Sequence, residues 1–181
     1  REVEATRALF PDLTLRVGIE VSYQPEFGKE ISGYLDGVEV DFLIGSIHFV
    51  GGGENCITEE EGSRRYFRDK QSPEEAFGPY FEEVLDAVRF GYFDVLGHLD
   101  IIKRYGSSIL GPLEPNRFYG VVRRILEGVI KRDMSVEVNS SGLFHHAREI
   151  YPSLGILELY RELGGRRLTV GSDCHHRDLP Q

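Results

Sequence analysis

Basic residues are the scarce side of this sequence, with 21 Lys and Arg against 30 Asp and Glu and a formal net charge of -9. A nonspecific grip on nucleic acid needs a positive footprint, so this balance argues against a nucleic-acid partner. It leaves room for an enzyme that holds a polyanion through metal ions, because a negative field helps a carboxylate-rich site gather cations. Apolar runs of membrane length, about 18 residues or more, are missing, and no membrane partner is expected. Two cysteines, Cys56 and Cys174, are too few for a disulfide framework. The first ten residues contain neither an initiator Met nor a signal-peptide pattern, and a cytoplasmic location is expected. They read instead as the last turns of a helix already in progress. Arg177-Asp-Leu-Pro-Gln181 stops where a new segment would begin. The expectation is a single domain over 1–181, incomplete at both ends.

What is present is an alternation of strands and helices. Residues 13–21 alternate as a strand, and 40–48 are almost continuously apolar, as in a strand covered on both faces. A short helix over 29–35 lies between them. After the polar, Gly-rich stretch 50–64, Ser72-Pro-Glu-Glu75 has the form of a helix start, with a Ser cap, Pro in the first turn and Glu at the third position. The helix that follows carries Phe77, Phe81, Val84, Leu85 and Val88 at spacings of three and four. Residues 92–98 form a third strand, a loop runs on to Pro115 with a helix after it, and 135–139 form a fourth strand. A helix over 151–163 leads to a fifth strand at 167–171. This order argues an α/β fold with parallel strands and right-handed crossovers.

The polar residues fall at one topological position. Glu20, His48, His98, Asn139 and Asp173 all lie at or just past the C-terminal ends of successive strands. Site residues drawn from many strands around one rim favour a barrel over a doubly wound sheet. Asp173 and His175, at i and i+2 past the fifth strand, would face the same side of an extended segment. Cys174 would face away, as a small buried or half-buried thiol. Carboxylates and imidazoles crowded together are costly without a cation. Glu20, His48, His98, Asp173 and His175 are therefore the candidate metal ligands. Mixed His and carboxylate donors suit Zn, Mn or Fe better than Mg or Ca. Such ions can hold a phosphoryl group and neutralise developing charge, and Glu20 has the two oxygens needed to bridge a pair of them.

Around these ligands the reading is more open. Asp100 either orients an imidazole or a substrate or caps a loop. Lys103 and Arg104 either meet a phosphate or are solvated on a helix surface. Asn139 is a candidate substrate contact; Glu137 shares its side of the strand but lies back from the rim. His145 and His146 are either substrate contacts or exposed loop residues. His176 points away from His175 and is left out of the metal set.

Gly18-Ile-Glu-Val21, Ile44-Gly-Ser-Ile-His-Phe-Val50, Phe93-Asp-Val-Leu-Gly-His-Leu-Asp100, Val136-Glu-Val-Asn-Ser-Ser-Gly-Leu143, Glu149-Ile-Tyr-Pro152 and Gly171-Ser-Asp-Cys-His175 together resemble the histidinol-phosphatase branch of the PHP (polymerase and histidinol phosphatase) superfamily. The resemblance implies a distorted (β/α)7 TIM-like barrel, of which this chain covers roughly five β/α units. It implies two or three divalent transition-metal ions at the C-terminal rim and hydrolysis of a small phosphorylated substrate, L-histidinol phosphate. Glu20 would bridge two ions and Asp173 would share the first. His48 and His98 would join Glu20 on the second, and His175 would help hold the third. A metal-bound hydroxide would be the nucleophile, and Arg104 would bind the substrate phosphate. The resemblance also implies an opening His-x-His strand that residues 1–181 do not contain.

One position breaks the pattern. Ser-Gly-Leu is ordinarily followed by a phosphate-binding Arg, and here Phe144 stands in its place. His145, His146 and Arg148 are the nearby residues that could compensate. The other readings are a PHP-type phosphoesterase acting on nucleotides or nucleic-acid ends, and an inactive PHP-like structural or regulatory module. The sequence leaves the oligomeric state open.

Overall fold

The computed structural model describes residues 2–175. Helix α1 (Glu2–Leu9) precedes strand β1 (Gly18–Ser22), helix α2 (Gly28–Leu35) and strand β2 (Phe42–Ser46). A small antiparallel hairpin, β3 (Phe49–Val50) and β4 (Asn55–Cys56), then leads into helices α3 (Glu60–Phe67) and α4 (Pro73–Phe90). Strand β5 (Val95–Leu96) is followed by helices α5 (Lys103–Leu110) and α6 (Tyr119–Lys131). Strand β6 (Ser135–Asn139), helix α7 (Leu154–Glu162) and strand β7 (Leu168–Gly171) complete the order.

Five strands form one sheet in the order β1-β2-β5-β6-β7, every neighbouring pair parallel. All their C-terminal ends therefore lie along one rim. A parallel sheet whose neighbours follow chain order, with helices in the connections, is the wall of a distorted β/α barrel. Because successive side chains alternate between faces, the register assigns each one. Val21, Leu43, Leu96 and Val136 face the helices and join the apolar core. Glu20, Ser22, Ser46, Glu137 and Asn139 take the opposite face.

The long helix α4 begins as its sequence requires. Ser72 Oγ accepts the Glu75 N–H at 3.2 Å, and the helix ends at Gly91, whose φ of +83° is a left-handed C-terminal conformation. Its buried Phe77, Phe81, Val84, Leu85 and Val88 meet the Val122, Ile125, Leu126 and Val129 face of α6. No described helix is long and apolar enough to cross a membrane.

Several expected elements differ: the strand over 40–48 forms only at Phe42–Ser46, and α5 lies in the stretch expected to be a loop up to Pro115. Residues 13–17 are not strand, and β1 begins at Gly18. The strand expected over 92–98 is assigned only at Val95–Leu96, although Asp94 and Gly97 extend its hydrogen bonding through their N–H groups to Leu43 and Gly45. The helix expected from Tyr151 starts at Leu154, because Tyr151 is paired in both backbone directions with Asn139 and precedes a proline.

Candidate metal centre

Three of the expected ligands meet at the rim. Glu20 occupies the middle of β1, His48 follows β2 by two residues, and His98 follows β5 by two. Glu20 Oε1 lies 3.0 Å from His98 Nε2 and 3.1 Å from His48 Nε2, and the two Nε2 atoms are 3.2 Å apart. Among the described residues this is the only group of three or more His, Cys, Asp or Glu side chains with ligand atoms so close together. His98 is 2 % exposed, His48 26 % and Glu20 32 %, so the cluster is sealed behind His98 and open beside Glu20.

The donor chemistry fits a divalent transition ion. Two imidazole nitrogens that face each other and one carboxylate oxygen set lone pair against lone pair, or proton against proton, unless a cation takes all three. Ions with bonds of about 2.0–2.2 Å place neighbouring ligand atoms about 3.0–3.5 Å apart, which the observed triangle matches. Hydrogen bonding with His48, and then with His98, holds the Glu20 carboxyl far below the ordinary carboxylate range against the opposing effect of burial. Glu20 is thus kept ionised, as a ligand must be. Ser22 Oγ, on the same face, and the Nδ1 of His98 itself are buried without hydrogen-bond partners among the described residues, and Ser46 on that face adds to the lowering of Glu20.

Behind the triad stands Glu137, the side chain read as too far back. Its Oε2 accepts the backbone N–H of His98 at 2.8 Å and an N–H of Asn139 at 3.2 Å. It fixes the backbone that carries His98 and is 8 % exposed. Its shared parity with Asn139 on β6 was the sequence signal for this placement. Asn139 is itself buried, and its side-chain oxygen caps the turn that follows by accepting the Ser141 N–H at 3.0 Å.

The expected extended, one-sided placement of Asp173 and His175 does not form, although His175 Nδ1 lies 3.6 Å from Asp173 Oδ1. Asp173 has φ +51°, so the segment past β7 is not extended, and the i, i+2 rule does not apply to it. The His175 ring is 76 % exposed and turns back to its own chain, Nδ1 lying 2.9 Å from the Asp173 carbonyl oxygen. Cys174, expected to be at least half buried, is exposed. The Asp173 carboxylate instead meets Arg104, Nη2 to Oδ2 at 3.4 Å, with both side chains largely buried. His176 lies outside the described residues.

Arg104 has the surroundings of an anion-binding guanidinium. Its contacts are long, 3.3 Å to Ser141 Oγ and 3.5 Å to the Thr58 carbonyl besides Asp173, and its buried Nε has no partner among the described residues. Arg104 and burial together push His145 below its ordinary value, burial being the larger cause, while Asp173 opposes them. His145 and His146 both lie near Tyr105, at ring separations of 6.5 and 6.4 Å. His146 and Arg148 are exposed, and so is Phe144 at 57 %.

Lys103 and Asp100 are a different matter. Both are fully buried and joined at 2.9 Å. The three N–H groups of Lys103 are matched by Asp100, the Ile150 carbonyl at 2.9 Å and Glu149 at 3.0 Å, so the expected phosphate contact has no donor left. Asp100 accepts the Ser153 N–H at 2.9 Å and makes no hydrogen bond to the His98 ring, which corrects its reading as an imidazole orienter in favour of a loop fastener.

A sequence profile of the PHP domain matches residues 2–141. The chain is 31% identical over 168 residues to a Clostridium acetobutylicum protein named "Probable histidinol-phosphatase", covering 90% of this chain and 61% of that one. It is 27% identical over 177 residues to the histidinol-phosphatase of Lactococcus lactis subsp. lactis, covering 97% and 63%. The chain thus spans about three fifths of the length of these curated relatives. A crystal structure of a Listeria monocytogenes protein proposed to be a histidinol phosphatase shares the fold, with TM-score 0.84 and 24% identity over 95% of this chain and 68% of that chain. The histidinol phosphate phosphatase of Lactococcus lactis subsp. lactis, crystallised with zinc, L-histidinol and phosphate, superposes with TM-score 0.79. That match is 26% identical and covers 98% of this chain and 66% of the other.

Proposed function

The chain belongs to the PHP domain family, and from that premise we propose that its rim hydrolyses a phosphomonoester, L-histidinol phosphate, to L-histidinol and phosphate. The observation that carries the proposal is the convergence of Glu20 Oε1, His48 Nε2 and His98 Nε2 within 3.2 Å of one another at the C-terminal rim. The same rim carries the under-coordinated Arg104. The names of the relatives favour histidinol phosphate as the substrate.

An ion bound by Glu20, His48 and His98 would supply Lewis acidity toward a phosphoryl oxygen and activation of water. We extend the proposal to two or three such ions, which Glu20, Asp173 and His175 would help to hold beside His48 and His98 and which would neutralise charge on the phosphoryl group. Arg104 binds the phosphate oxygens through its planar fork, for which its long present contacts leave capacity. Ser141 Oγ, 3.3 Å from Arg104, lies within reach of the same anion. His145 and His146 are proposed as contacts to the alcohol portion, with Asn139 holding the turn between them and the sheet. Arg148, exposed on the same loop, is the remaining cation that could reach the phosphate where Phe144 offers none.

The test is a steady-state comparison on the protein in its full natural length. The proposal expects kcat/KM for L-histidinol phosphate to exceed that for p-nitrophenyl phosphate and for nucleotides. Equal turnover of all three would remove the specific substrate, and release of mononucleotides from DNA without turnover of histidinol phosphate would replace it. No turnover of any phosphoester by the metal-loaded protein would leave a structural module.

A further inference from the structure

Among the buried groups that take no part in this chemistry, Lys103 has the widest reach. Its three acceptors lie on two separate stretches of chain, Asp100 in the turn after His98 and Glu149 with Ile150 in the segment before α7. Its ammonium also lies 5.2 Å from the centre of the Tyr151 ring. Tyr151 exchanges both backbone hydrogen bonds with Asn139, at 2.7 and 2.9 Å. The Glu149 carbonyl presses on the turn after Asn139 so closely that a Cβ on Gly142 would fall 2.1 Å from it. Ser141, between Asn139 and Gly142, faces Arg104. Arg104 is the residue after Lys103 on α5.

We propose that Lys103 is the positioning residue for the anion end of the site, fastening the helix that carries Arg104 to the 139–142 turn that Arg104 faces. The inference rests on the reading of Arg104 as the phosphate-binding group. Its physical basis is that a buried ion pair is a poor source of stability, since a well-packed apolar pair of similar volume often does as well. What an apolar pair cannot reproduce is directional attachment to a carbonyl and two carboxylates at once. Lys103 therefore sets the geometry of the loop, and through it the spacing between Arg104 and Ser141.

The experiment uses the full-length, metal-loaded protein and inorganic phosphate as the probe, with Asp100→Leu/Lys103→Met, Lys103→Arg and Arg104→Gln as variants. The double variant removes both buried charges; Lys103→Arg keeps the cation but not the compact three-way attachment, and it serves should the double variant fail to fold. The expected result is unchanged metal content with phosphate affinity weakened by about tenfold or more, and KM raised with kcat changed less. A purely structural role would alter the melting temperature and leave that split unmoved. Wild-type phosphate affinity in the folded double variant or in Lys103→Arg, while Arg104→Gln weakens it, would overturn the inference and spare the site. Unweakened affinity in Arg104→Gln would overturn the reading of the site, and the inference with it.

Discussion

Glu20→Gln should remove bound metal and lower kcat/KM by about a thousandfold or more, since an ion contributes several kcal/mol to phosphoryl transfer. The substitution preserves size and shape and removes the charge. Glu20 is the only carboxylate in the triad, and His48 and His98 both direct Nε2 at its Oε1. An amide is a weak donor for a transition ion, and its NH2 would compete with imidazole N–H groups for the same space. Metal content by elemental analysis and steady-state rates are read on the same preparation. Full metal occupancy with an undiminished rate would show that the triad is not the centre.

Lys103→Met should cost about 3–5 kcal/mol of stability, the usual result of breaking a buried ion pair by removing one partner. Asp100, fully buried, would keep the Ser153 N–H as its remaining contact, and its Oδ1 already has no partner among the described residues. Burial pushes the Asp100 carboxyl up from its ordinary value of 3.8, and Lys103 is the main force opposing that rise. With Lys103 gone the folded pKa climbs further, so the folded state binds more protons than the unfolded state above the ordinary value. Stability then falls as pH rises through that window, and the deficit of the variant shrinks toward acid. Adding Asp100→Leu should recover most of the loss. Denaturant unfolding at several pH values checks both statements. A deficit under about 1 kcal/mol, typical of a surface pair, would contradict the burial on which they rest.

The fold was legible where the chain obeys one period. Residues 135–139 were assigned as a strand with the bounds that form, and α4 starts at the Ser72 cap that its sequence announces. The site was legible for a related reason. Parallel strands end on one rim, so Glu20 on β1 and His48 and His98 just past β2 and β5 come together there. The local geometry of Asp173 and His175 was not legible, because parity assumes extended backbone and Asp173 adopts a left-handed φ. Lys103 was misread for want of a long-range contact. Beside Arg104 on a short amphipathic helix it has the pattern of a solvated or phosphate-facing cation, and the segment from Glu149 to Tyr151, 47 residues away at Ile150, lies over its ammonium. The extent of β5 was obscured likewise, since an apolar run gives no sign of where ladder pairing stops.

Everything proposed for the rim depends on Glu20, His48 and His98 holding one ion. Anomalous diffraction from crystals of the zinc-loaded full-length protein, recorded on both sides of the zinc edge, tests it most directly. The expected result is a zinc peak bonded to Glu20 Oε1, His48 Nε2 and His98 Nε2, each at about 2.0–2.2 Å. Zinc bound elsewhere, with these three side chains hydrogen-bonded only to one another, would contradict it.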